Sequence, residues 1–185
     1  MRYLKQIFNL LFAFAPWIAF LILAGPSLPR LKIAVIVASL ITIVMWIGKF
    51  HRGIILWAGV IFFSWALVAV IGLEHMWTIR HLGVLSNGVL AAGTIISMLI
   101  KKPFTLEYAK EKTSPERWNS PLFLRTNYLI TGAWGSVFLI NMFLNYLKMN
   151  APHTDKWIYE VASYSFLLAA VLFTTFYAEL MKSRA

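Results

Sequence analysis

The feature that most constrains this chain is a succession of apolar runs, each close to the length of a bilayer crossing. They lie at about 7–24, 31–48, 53–73, 82–100, 126–148 and 157–181. A helix needs about 20 predominantly apolar residues to span the hydrocarbon core. Inside that core each backbone N–H and C=O must find a partner within its own segment, so such runs fold as helices. The rest of the composition agrees: 60% of residues are hydrophobic and 13% charged, against about 25% charged in soluble domains. The expectation is an all-α, polytopic transmembrane helical bundle of about six spans, forming a single integral membrane domain over 1–185. The linkers GPSLPR, KFHR, EHMWTIRH and MNAPHTDK are short, which makes successive spans antiparallel neighbours. The first run follows Arg2 and Lys5 as a secretory leader would. Its length, Pro16 and Trp17 near its middle, and the lack of a clear small-x-small cleavage site predict a retained first span.

Charge sets the expected orientation. Of the seventeen basic residues, twelve fall on the side of the two termini, the 49–52 linker and the 101–125 loop, and five on the other. Cytoplasmic loops carry the excess of Lys and Arg, so a multi-pass protein of the bacterial inner (plasma) membrane with both termini cytoplasmic is predicted. The net charge of +10 is read as contact with anionic membrane lipids, and no nucleic-acid partner is expected. Trp46 and Trp57 fall near one interface and Trp77 and Trp157 near the other, where amphipathic rings prefer to sit. Trp17, Trp65 and Trp134 are expected deeper, between helices.

Several chemistries are unsupported. There is no cysteine, which removes disulfides, thiolate metal sites and cysteine nucleophiles. His51, His75, His81 and His153 lie in or beside linkers, and none pairs at i, i+4. Haem or di-metal sites need such ligands inside the spans. No nucleophile–base set or phosphate-cradling glycine loop stands out. No cofactor, metal site or catalytic residue is expected, and the chain is read as non-enzymatic.

Polar residues inside the spans are the candidates for a cavity or for helix contacts. Gly83, Asn87, Ala91 and Thr94 share one face of the fourth span, and Trp134, Phe138, Asn141 and Asn145 one face of the fifth. Small and polar stripes let membrane helices approach and hydrogen-bond. The same stripes could line a path for a solute or a lipid headgroup, and both readings stand at this point. Glu160 and Glu179 lie near the ends of the sixth span, with Lys156 and Lys182 in helical reach.

One stretch breaks the pattern: KKPFTLEYAKEKTSPERWNSPLFLR, 101–125, holds six of the seventeen basic and three of the seven acidic residues. Pro103 ends a helix. Thr105 is placed to cap a short one, with Glu107 in its first turn and Lys110 and Lys112 in its last. Thr113 and Glu116 have capping-box spacing for a second. Two short amphipathic helices at the interface are predicted, with Lys110, Lys112 and Trp118 as candidate docking residues.

The stretch 76–145 resembles the bacterial intracellular septation protein A family, small polytopic proteins also called inner membrane-spanning proteins. The resemblance is carried by MWTIRHLGVLSNGVLAAGTIISMLIKKPF with its Lys-Lys-Pro exit, by the loop Trp118, and by WGSVFLINMFLN, in which Trp134 precedes Asn145 by eleven residues. This chain has extra residues around NSPLFLR, between Trp118 and Trp134. The resemblance implies a part in cell-envelope maintenance or septation through contacts with cell-division or envelope-synthesis proteins, with Trp118, Trp134 and Asn145 in structural or interaction roles. A homo-oligomer is compatible with it. The alternative is a small transporter or lipid-handling protein, with a polar pathway between spans four, five and six past Asn87, Asn141, Asn145 and Glu160.

Overall fold

The computed structural model describes residues 12–25, 27–48, 53–111, 113–152 and 155–182. Every regular element among them is helical. In chain order these are α1 (Ala15–Leu23), α2 (Leu28–Ile47), α3 (Ile54–Ala66, continued by a π-helical segment Leu67–Gly72), α4 (Met76–Leu99), α5 (Thr105–Lys110), a 3-10 turn (Pro115–Arg117), α6 (Pro121–Asn150) and α7 (Lys156–Lys182). Among the described residues, five stretches are long and apolar enough to cross a membrane: α2, α3 with its π segment, α4, α6 and α7. The chain is therefore compatible with a multi-pass membrane protein. The first expected span is described only from residue 12, as the nine-residue α1. Its residues 7–11 lie outside the described residues.

Two helices begin earlier than hydropathy predicts, for local reasons. α4 starts at Met76 instead of 82. The His75 carbonyl accepts the Ile79 N–H at 3.0 Å, and its ring Nδ1 pairs with the Thr78 hydroxyl at 2.8 Å, so His75 closes the helix start. The expected EHMWTIRH linker shrinks to a turn around Glu74, whose φ of 46° is left-handed. α6 starts at Pro121: the Ser120 hydroxyl accepts the Phe123 N–H, and proline fits the first turn. Leu122, Phe123 and Leu124 thus belong to α6 rather than to the loop.

The fold divides into two units, 8–82 and 83–185. The unit at 8–82 is packed around aromatics. Trp17 stacks on Phe62 at 5.3 Å and meets Phe63 at 5.0 Å, while Phe20 touches both phenylalanines edge-on. The buried face of α2 is made mostly of small residues, Ala34, Ala38, Ser39 and Thr42. These let α3 come close at Gly59, where a Cβ would lie 3.5 Å from the Trp17 indole nitrogen and 3.8 Å from the Thr42 methyl. Lys32 and Glu74 form an ion pair at the edge of this unit. Trp65, expected between helices, is 41% exposed.

The unit at 83–185 is tied by polar contacts. α4 and α6 run antiparallel: Gly83 meets Asn145, Gly88 meets Met142, Thr94 meets Gly135 and Met98 meets Gly132. A Cβ on Gly135 would stand 3.0 Å from the Thr94 methyl, and one on Gly83 only 2.7 Å from Asn145 Oδ1. A Cβ at Gly83 would require the Asn145 amide to shift. α7 packs on α6, yet only Ala170 of its residues is buried. In its most apolar window 6% of residues are buried, against 39–50% in the other four candidate spans.

Candidate functional site

The loop at 101–120 is built onto the helices it joins. α4 ends in a Schellman closure: Lys101 N–H reaches the Met98 carbonyl at 3.0 Å and Lys102 N–H the Ser97 carbonyl at 2.8 Å. Lys101 takes the left-handed conformation, φ 58°, that glycine usually supplies. The chain then turns inward, burying Pro103, Phe104, Thr105, Leu106 and Tyr108. Two hydroxyl clusters hold it there. Ser97 Oγ accepts the Phe104 N–H at 3.2 Å and donates to the Thr94 carbonyl at 2.6 Å. Thr105 Oγ1 donates to the Asn127 carbonyl at 3.0 Å and pairs with Thr131 Oγ1 at 2.8 Å.

This differs from the sequence expectation in three ways. Thr105 does not cap α5: Phe104 occupies the cap position, and the Thr105 hydroxyl is spent on α6. The second expected helix is a three-residue 3-10 turn. Thr113 does not form the capping box with Glu116, because its hydroxyl bonds back to the Ala109 carbonyl at 2.9 Å. Ser97, Asn127 and Thr131 were not among the sequence candidates. Ser97 continues the Thr94 stripe one turn further, which was the available signal.

Two of the three candidate docking residues meet. Lys110 Nζ lies 5.3 Å from the centre of the Trp118 ring, a cation–π distance. The Trp118 indole N–H donates to the Thr113 carbonyl at 2.8 Å, so the ring is held edge-in with its face to the lysine. Lys112 lies outside the described residues. Burial raises the Glu107 carboxyl above its ordinary range, with Lys110 opposing. Burial beside Glu107 and Glu111 pushes the Tyr108 phenol far up, so Tyr108 stays neutral at any physiological pH.

Asn87, Asn141 and Asn145 are linked through the α4–α6 contact at Gly83, while the other candidate cavity residues make separate contacts. Asn87 Nδ2 donates to the Gly83 carbonyl at 2.9 Å and Asn145 Nδ2 to the Asn141 carbonyl at 2.8 Å, each within its own helix. Thr94 likewise bonds back to Leu90. Trp134 crosses to α7, its Nε1 donating to Thr174 Oγ1 at 2.9 Å. Asn141 also faces α7, with Nδ2 3.5 Å from the Ser163 carbonyl, and its buried Oδ1 has no donor. Glu160 pairs with Lys148 at 2.5 Å rather than with Lys156. That joins the C-terminal end of α6 to the N-terminal end of α7 across the turn between them. Near the start of α4, His81 stacks on Trp77 at 4.4 Å. Among the described residues no group of three or more His, Asp or Glu side chains could hold a metal ion.

No family model matches the chain, and neither a curated protein nor a solved structure does.

Proposed function

We propose that this is a non-enzymatic, multi-pass protein of the bacterial inner membrane, of about six spans with both termini cytoplasmic. It supports cell-envelope maintenance or septation through protein and lipid contacts. Its working surface is the 101–120 loop, lying at the cytoplasmic interface. The observation that carries this reading is the loop's construction. A mere connector between α4 and α6 needs no buried core of its own, whereas this one buries five residues and ties them to both helices. Fixing a surface before a partner arrives lowers the ordering cost of binding. The Lys110–Trp118 pair displayed on it is of the residue types that anchor contacts. The assignment to septation and the envelope rests on the sequence resemblance alone.

The test is complementation. In cells that lack the protein and show a division or envelope defect, Lys110→Gln with Trp118→Ala should restore the phenotype poorly while reaching normal membrane levels. Full restoration by that double variant would count against the docking role. Orientation is checked by labelling single cysteines at Ser27 and Lys112: Lys112→Cys should react only from the cytoplasmic side.

The transporter or lipid-handling reading keeps one observation in its favour, the buried Asn141 Oδ1 without a donor. A solute hydroxyl would satisfy it. Transport of a radiolabelled solute, lost in Asn141→Leu but not in Trp118→Ala, would favour that reading over docking.

A further inference from the structure

The exposed cations of the loop and of the first turns of α6 form no close salt bridge among the described residues. Lys101, Lys102, Arg117 and Arg125 are all exposed. The close ion pairs among the described residues are Lys32–Glu74 and Lys148–Glu160, so none of the four forms a close salt bridge there, and Lys102 has a carboxylate, Glu107, near enough to feel its charge. Three of them share a height. The antiparallel register that sets Met98 against Gly132 and Thr94 against Gly135 carries Lys101 and Lys102 to about the level of 128–129. Arg125 is then within about one helical turn, roughly 5 Å along the axis. This is where the apolar runs of α4 and α6 stop. α6 has 30 residues and is about 45 Å long, against a hydrocarbon core of about 30 Å, so its ends reach the headgroup layer.

We infer that this end of the α4–α6 pair seats anionic phospholipid headgroups, with Lys101, Lys102 and Arg125 holding lipid phosphates and Arg117 at the rim. The inference rests on reading the chain as membrane-embedded, and does not need the loop to dock a protein. Depth selects the lipid: side chains at headgroup height meet phosphates of the surrounding leaflet before any soluble partner. Arg125 presents a fork of donors suited to phosphate oxygens, and the lysines add compact charges. The site is preformed, because the Schellman closure and the Ser97 and Thr105 hydrogen bonds fix the backbone that bears the two lysines.

The test uses the full chain in nanodiscs of mixed phosphatidylglycerol and phosphatidylcholine with identical acyl chains. Retained lipid is read by native mass spectrometry. The wild type should retain phosphatidylglycerol above its bulk share. Lys101→Gln/Lys102→Gln/Arg125→Gln should lose that enrichment at least tenfold, since each cation near an anionic surface is worth about fivefold. The charge-conserving Lys101→Arg/Lys102→Arg, with Arg125 unchanged, should keep it, as should Arg80→Gln, an exposed cation outside the loop. Retention in the bulk ratio by the wild type would overturn the inference, and so would unchanged enrichment in the triple Gln variant. Loss in the charge-conserving variant would overturn it too, by showing that packing rather than charge was removed. If the cations instead proved necessary for recovery of a soluble protein with no lipid enrichment, the lipid seat would be wrong and the docking reading would stand.

Discussion

The two units of this protein hold their helices together in different ways. Between 8 and 82, contact is made by ring on ring and by small residues that let backbones approach: Trp17, Phe20, Phe62 and Phe63 against an α2 face rich in Ala, Ser and Thr. Between 83 and 185, named donors meet named acceptors: Trp134 with Thr174, Thr105 with Thr131 and Asn127, Ser97 with Phe104. Lipid tails are as apolar as leucine, so neither unit gains from a hydrophobic drive between helices. Van der Waals packing tolerates small shifts, whereas a hydrogen bond fixes position and direction. The directional unit is the one that carries a long loop and holds it still.

That contrast can be broken by substitution. The largest expected effect is Phe63→Ala in the aromatic unit. With no water-transfer gain to lose, the cost is the cavity, roughly 100 Å³ and so about 2 kcal/mol. It should appear as a lower unfolding midpoint in mixed detergent, with loop accessibility unchanged in the native protein. Thr105→Val should cost about 1–2 kcal/mol, because the buried Thr131 hydroxyl loses its partner. Unlike Phe63→Ala, it should speed hydrogen exchange at the Phe104 amide. Equal effects of the two variants on the loop would erase the distinction between the units.

The smallest effect concerns Glu107. Its carboxyl is raised above the ordinary value by burial of its surroundings, so the folded chain binds that proton more tightly than the unfolded chain. Stability therefore falls as pH rises from about the ordinary value of 4.5 through the raised native one. Glu107→Gln should remove that slope and raise stability at neutral pH. The side chain is only partly buried, so the gain should stay below about 0.5 kcal/mol. Unfolding midpoints measured between pH 4 and 7 check the sign, and an unchanged slope in the variant would contradict it.

Much of the helical architecture was legible in the chain, because length and hydropathy of a crossing segment are properties of contiguous residues. Five predicted runs, from 31–48 onward, coincide with α2, α3 with its π segment, α4, α6 and α7 to within a few residues at most ends. The start of α4 was missed because a histidine, not a Ser, Thr, Asp or Asn, closes it. The loop was legible as a special segment and illegible in detail: Thr105 finds its partners 22 and 26 residues away, a distance no local capping pattern encodes. The Lys148–Glu160 pair was missed likewise, since Lys156 lay nearer in sequence. Nor could hydropathy tell α7, with one buried residue, from the more buried α4, as lipid-facing and helix-facing surfaces are equally apolar. The cavity candidates show the same limit: Asn87, Asn141 and Asn145 sat on two shared faces by spacing, but two of the three amides bond within their own helices.

The 101–120 loop is folded onto α4 and α6. The absence of native cysteine makes alkylation rates at two single-cysteine positions the most direct measurement. Leu106 is 8% exposed and Glu111 lies open just beyond the same short helix. In native membranes, Leu106→Cys should be modified at least about ten times more slowly than Glu111→Cys, a difference set by local opening. Similar rates at both positions would mean that the loop is a solvated connector and would contradict the account.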